Sequence, residues 1–242
     1  MTPEVEDIAK DDDEGFRQAE IERQEREHRH SITAIHEAAH AVAFFMTAKL
    51  MGYDSADALW YVEMYQPHNP EYFGRNGMGC TLATTYGPMF SKAINDAAKD
   101  VDAHEGMPTQ EYCADVIAAA RAAGADIESW VRATVLIGMA GPVAQAKETG
   151  RSLDDMSDEM LAILKTDWTG PYTFGSMAGM SPGEIQVIVD NAIAYVSMKF
   201  DESDLWNALL ALAKALPKEG RMEGRECWKI FSDAIETFEP WA

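Results

Sequence analysis

Cysteine is scarce in this chain, and no two cysteines sit close together. Cys80, Cys113 and Cys227 are odd in number and widely spaced, and no CxxC pair occurs. That argues against a thiolate zinc site. Buried, reduced thiols are the default for such cysteines, which suits a cytoplasmic protein. Basic residues are also in short supply: 20 Lys and Arg face 41 Asp and Glu, for a formal net charge of -21. Binding to a nucleic-acid backbone is driven by Lys and Arg, so no nucleic-acid partner is expected. A solubilising role is the plainest reading of the acidity. Acids follow Met1 where a signal peptide would place a basic and then an apolar stretch. No run of 18 apolar residues exists, so no membrane span is expected. No G-x-x-x-x-G-K-[ST] occurs, which excludes a P-loop.

What is present is a large apolar fraction, 47% of 242 residues, enough for one sizeable core. Residues 1–30 are almost all charged or polar. They have too little to bury, so this segment is expected to be disordered, with helix formers only towards its end ("AEIERQEREHR"). Residues 31–242 form the expected domain. Its first part carries Ile32, Ile35, Ala39, Val42, Phe45 and Met46 at spacings of three and four, an amphipathic helix. The runs "ALWYVEMY" and "MGCTLATTY" are aromatic and β-branched, and they flank the loop "QPHNPEYFGRNG"; two paired strands are expected. Residues 109–123 and 127–148 read as helices, the second with a Gly141-Pro142 pair that threatens to break it. "SLDDMSDEMLAILK" reads as a helix and "TDWTGPYTFGSMAGM" as a loop. Ser181-Pro182 opens another helix, and "ESDLWNALLALAKALPKEG" and "GRECWKIFSDAIETF" complete the set. The expected fold is α+β, mostly α-helical, with a small two- or three-stranded sheet beside the first helix.

That first helix holds "TAIHEAAHAVAFF". His36-Glu37-Ala38-Ala39-His40 fits H-E-x-x-H. Positions four apart share a helix face, so both imidazoles reach one ion. Zinc lowers the pKa of a bound water, and a carboxylate one position on from the first ligand is placed to take its proton. The bland alternative is a helix with two half-buried histidines bonded to backbone or water. Two polar rings among Ala and Val are costly unless satisfied, and a metal satisfies both. Zinc hydrolases need a third protein ligand. No histidine follows at short range. His28 and His30 read as solvated surface, His68 falls in the hairpin loop and His104 in an acidic linker. A carboxylate far along the chain is therefore expected.

"SITAIHEAAHAVAFF" resembles the active-site helix of the FtsH-type zinc metallopeptidases, whose usual form is HEAGHA. The likeness continues in order over roughly residues 30–235. "LWYVEMY" and "MGCTLATT" take the places of that family's two strands. "GMAGPVAQA" matches its Gly-x-x-Ala-Glu helix through Gly141, Ala144 and Gln145. "KTDWTG" offers Asp167 where the family supplies an aspartate as third ligand. Ala39 stands for the usual Gly and Gln145 for the usual Glu, and the stretch before the third ligand is longer. Asp154, Asp155 and Asp158 are the alternative third ligands.

The resemblance implies a zinc-dependent metalloendopeptidase that cuts flexible or unfolded polypeptides. His36, His40 and Asp167 would hold the metal, and Glu37 would be the general base. FtsH proteins also carry a membrane anchor and an ATP-driven unfoldase; this sequence contains neither. The expected partner is thus a polypeptide substrate, with neither nucleic acid nor membrane. A homo-oligomer or a separate unfoldase partner is compatible with this. An extended substrate could add as a strand to either run as a sheet edge. Two rival readings stand beside it. One is a catalytically inactive zinc-binding regulatory module of the same fold. The other is a short cytoplasmic HEXXH peptidase that cleaves a repressor, its third ligand among Asp54, Asp57 and Glu63.

Overall fold

The computed structural model describes residues 5–64, 79–83, 94, 96, 97, 101, 109–153, 167 and 170–241. The fold is mostly helical with one small sheet, the expected α+β class. Helix α1 (Val5–Thr47) is followed by two short 3-10 turns, then strand β1 (Leu59–Met64) and strand β2 (Gly79–Ala83). Helices α2 (Thr109–Ala122), α3 (Ile127–Thr149), α4 (170–177), α5 (Pro182–Phe200) and α6 (Ser203–Glu219) come next. Strand β3 (Arg221–Glu223) and helix α7 (Gly224–Ala234) end the regular structure.

The C-terminal half of α1 is the centre of the molecule. Every residue from Ala34 to Ala48 is buried, so this stretch is enclosed on all sides and is not amphipathic. Ala38, Ala39, Ala41 and Ala43 give it a thin profile, and α3, α6 and the sheet all pack against it. Its last turn is held twice. Phe45 meets Trp228 and Phe231 of α7 at ring-centroid distances of 5.3 and 5.5 Å, contacts of about 0.5–1.5 kcal/mol each beyond burial. The C-terminal tail then returns to it. The Trp241 N–H donates to the Met46 carbonyl at 2.8 Å, satisfying one of the acceptors that a helix end leaves open. The Trp241 ring lies buried against Tyr195 and Phe200 of α5.

The other half of α1 differs from expectation. Residues 5–30 continue the same helix instead of forming a disordered segment. The costly step of nucleation is already made in the buried half, so extension needs only one bond per residue. Arg23 adds ion pairs to Glu20 and Glu27 at helical spacing. The compositional argument survives in the side chains: those described between Arg17 and Arg29 are exposed, apart from a partly covered Glu20.

The sheet order is β2-β1-β3, antiparallel throughout. Thr81 lies opposite Val62, and Met222 lies opposite Val62 on the other side. β3 went unread in the sequence because three residues, "RME", are too short a run to mark a strand, although their burial alternates. Being central, β1 cannot be an edge; among the described residues β2 is the outer strand on its side.

Gly141-Pro142 does not break α3, which runs unbroken through it. Pro142 leaves the Gly138 carbonyl without its helical donor, a cost carried by packing against α1 on one side and α5 on another. The expected loop over 166–180 is corrected to a helix over 170–177. Pro171 suits a first turn. Gly175 is retained for space: a Cβ there would lie 2.5 Å from Ile185 Cγ1. Ser181 caps α5 as expected, in a capping box with Glu184. Residues 154–165 of the expected helix over 152–165 and the hairpin loop lie outside the described residues.

Candidate metal centre

α1 and α3 run antiparallel, which the site's own hydrogen bonds show. His36 Nδ1 meets Gln145 Oε1 at 3.1 Å, and four residues on, His40 Nδ1 donates to the Ile137 carbonyl at 2.7 Å. A carbonyl only accepts, so His40 carries its proton on Nδ1. With Gln145 Oε1 as acceptor, His36 does the same. Both Nε2 atoms are then left as lone pairs, and they face each other at 3.0 Å.

The third group closes on them. Asp167 Oδ2 lies 3.1 Å from His36 Nε2, and its Oδ1 lies 3.6 Å from His40 Nε2. These distances straddle the separation of about 3.3 Å between neighbouring ligand atoms in a tetrahedral site with zinc–nitrogen bonds of about 2.0–2.1 Å. Three electron-rich atoms converging in a buried place require a cation. The residues present therefore fit a divalent metal ion: two neutral imidazoles, tautomers fixed from behind, and one carboxylate.

Without a metal, a proton takes that role. Burial alone would push the His40 pKa down. The Asp167 carboxylate, by charge and hydrogen bond, overrides it with help from Glu37 and the Ile137 carbonyl, and the pKa rises to about 9. Burial likewise pushes Asp167 up, but the two imidazoles outweigh it and hold its carboxyl far below the usual carboxylate range.

Glycines on α3 make room for the convergence. A Cβ on Gly141 would lie 2.5 Å from His40 Nε2 and 2.6 Å from His36 Nε2. One turn earlier, a Cβ on Gly138 would lie 3.2 Å from the Asp167 carbonyl and 3.4 Å from Pro171 Cγ. Gly141 thus seats the histidines and Gly138 seats the segment carrying the aspartate. Glu37 completes the turn, buried like its neighbours: His36, Glu37 and His40 are 7%, 7% and 6% exposed.

Of the residues singled out in the sequence, His36, His40 and Asp167 are brought together, with Glu37 beside them. Asp154, Asp155, Asp158, His68 and His104 lie outside the described residues. Asp54 caps a 3-10 turn, Asp57 pairs with Arg225, and Glu63 stands in β1; none belongs to the cluster. His28 is exposed, while His30 has a buried Nε2 with no hydrogen-bond partner. Sequence reasoning missed the roles of Gly138 and of the Ile137 carbonyl. The Gly138-x-x-Gly141 spacing was a signal for the first; a backbone acceptor leaves none.

Residues 30–48 of α1, strands β1 and β2, residues 133–146 of α3, Asp167 and α4 contain Glu37, Glu63 and Asp167; Arg29, Lys49, Arg132 and Lys147 directly border these stretches. Arg121 touches the far end of this assembly, where it donates to the Ala178 carbonyl at 2.8 Å. Arg221 stacks on Tyr61 at 3.7 Å and pairs with Glu223. Among the described residues no helix is long and apolar enough to cross a membrane. No protein-family model matches the chain, and no curated protein matches it in sequence.

Proposed function

We propose that the chain is a zinc-dependent metalloendopeptidase acting on flexible or unfolded polypeptides. The observation that carries this reading is the convergence of two oriented imidazoles and a carboxylate with a buried Glu37 on the same helical turn. Two imidazoles with a carboxylate make a donor set suited to zinc, and the sequence offers no further histidine ligand nearby. Bound there, zinc would supply Lewis acidity, lowering the pKa of a water and polarising a substrate carbonyl.

The chain's own residues have distinct tasks. Gln145 and the Ile137 carbonyl hold the two imidazoles in the ligating tautomer. Asp167 offsets part of the ion's charge and ties the α4 segment to α1. Glu37 accepts the proton of the attacking water and passes it to the leaving amine. β2, as outer strand, is the edge on which an extended substrate would pair.

The test compares wild type with Glu37→Gln on casein, after elemental analysis of both. The expected result is about one zinc in each and cleavage only by the wild type. Equal cleavage by both would remove Glu37 from the mechanism. Zinc in both and cleavage by neither would favour the non-catalytic module.

A further inference from the structure

We propose that Gln145 keeps the metal ion at this centre exchangeable, because its amide holds His36 as a ligand less firmly than the Ile137 carbonyl holds His40; this rests on the zinc site of the reading above and not on turnover. The two imidazole side chains are nearly equally enclosed, 9% and 8% exposed. What differs is the group behind each ring. His40 Nδ1 lies 2.7 Å from a backbone carbonyl, which is fixed in helix α3 and can only accept. The neutral ring of His40 therefore has a single tautomer, with its lone pair on Nε2. His36 Nδ1 lies 3.1 Å from Gln145 Oε1, at the end of a rotatable side chain. Gln145 is itself buried, 7% exposed, so its amide is the group that sets the position of the ring proton.

A primary amide carries an acceptor oxygen and a donor nitrogen on the same carbon. A half-turn about its last bond brings the amide nitrogen to His36 Nδ1 in place of the oxygen. Nδ1 then accepts, one ring proton is lost from Nδ1 and one is gained at Nε2, and the lone pair that faced the ion's place is gone. The new Nε2–H has an acceptor in reach, Asp167 Oδ2 at 3.1 Å. The metal-free centre thus has a hydrogen-bonded arrangement in which His36 is not a ligand. Either way the Gln145 contact is one neutral hydrogen bond, so it selects neither tautomer strongly. The ligating tautomer is then populated for part of the time, and apparent affinity falls by that fraction. A carboxylate at this position would only accept; it would fix the proton on Nδ1 and raise the basicity of the ring. Occupancy of a centre built with the amide follows the free metal concentration instead of being locked in. If Gln145 only filled space, an isosteric carboxylate would leave metal affinity unchanged.

The experiment uses the full chain as wild type, Gln145→Glu and Gln145→Met. Zinc affinity is read by competition with a chromophoric chelator, and zinc release by adding excess chelator to the loaded protein. Alkaline pH reduces competition from protons at the rings. Gln145→Glu should bind zinc about 10- to 100-fold more tightly and release it correspondingly more slowly. Gln145→Met, which leaves the His36 N–H without an acceptor, should bind about tenfold more weakly. Unchanged or weaker binding by Gln145→Glu would overturn the proposal and leave the zinc site standing. Failure of all three proteins to bind zinc would sink the metal reading and the proposal with it. Should neither variant fold, 15N NMR of the zinc-loaded wild type decides. The His36 Nδ1–H should exchange with water several-fold faster than the His40 Nδ1–H, and equal protection of the two would overturn the proposal.

Discussion

Replacing Gly141 by alanine adds one methyl group at the point where the two imidazoles meet. The new carbon would lie 2.5 Å from His40 Nε2, 2.6 Å from His36 Nε2 and 2.7 Å from His36 Cε1. Ordinary contacts between such atoms are about 3.5 Å or longer, so the overlap is about 1 Å at three atoms. The rings have little room to retreat, because each is held at Nδ1, by Gln145 or by the Ile137 carbonyl. Overpacking costs about 1–3 kcal/mol, and breaking either Nδ1 bond adds about 1–3 kcal/mol for a buried group left unpaired. Against this stands the gain of about 0.5–1 kcal/mol for alanine over glycine in a helix. The net expectation is a loss of about 1–5 kcal/mol in stability. Zinc affinity should fall at least about 100-fold, because the methyl occupies the place between the ligand atoms. Gly183→Ala is the control: nothing lies within 4 Å of a Cβ there, so it should stabilise by about the helix-propensity gain. Urea unfolding measures the first quantity, and competition with a chromophoric chelator the second. If Gly141→Ala binds zinc as tightly as wild type, the assignment of the Nε2 atoms as ligands is wrong.

Asp167→Ala should weaken zinc binding at least about tenfold and lower the melting temperature of the zinc-loaded protein, because ligand binding to the native state stabilises it. Retention of full affinity in that variant would place the third ligand elsewhere. His40 in the metal-free protein holds a proton up to about pH 9, and zinc must displace it. Apparent affinity should therefore rise with pH and level off above about 9, with proton release visible by calorimetry in buffers of different ionisation enthalpy. The same shift lies above the unfolded value of about 6.5. Its contribution to metal-free stability is then fully present below about pH 6.5 and lost as pH rises through about 9; a flat profile over that window would contradict it. Trp241→Ala should cost about 3–5 kcal/mol through the cavity it leaves. Trp241→Phe should cost far less, since it removes the buried Nε1–H that has no acceptor; equal losses in the two variants would show that the indole nitrogen is satisfied.

How much of this was legible in the sequence depends on which part of a residue does the work. His36 and His40 were legible because a spacing of four puts two side chains on one helical face. Asp167 was legible only through a family pattern. With 41 acidic residues in the chain, nothing intrinsic marks one carboxylate that sits 127 positions from its partner His40. The Ile137 carbonyl was invisible, as any backbone acceptor is. α4 was misread because Gly, Thr and Pro lower local helix propensity, while packing of Gly175 under Ile185 and of Pro171 on Gly138 decides the outcome. The arm over residues 5–30 was misjudged for the opposite reason: composition describes a segment in isolation, and this one inherits a helix already nucleated at its C-terminal end.

That shared helix has a consequence for how the molecule melts. α1 is clamped at one end by the tail on Met46 and enclosed from Ala34 onward, while its described side chains from Arg17 to Arg29 are exposed, Glu20 partly so. Unzipping that starts in the exposed part meets a barrier where enclosure starts. Amide hydrogens along this one rod should therefore run from nearly the fastest-exchanging in the protein to the slowest, with the step between Ile32 and Ala34. His36 lies two residues inside that step. Lengthening or trimming the arm moves the start of the helix and leaves the melting front where it is.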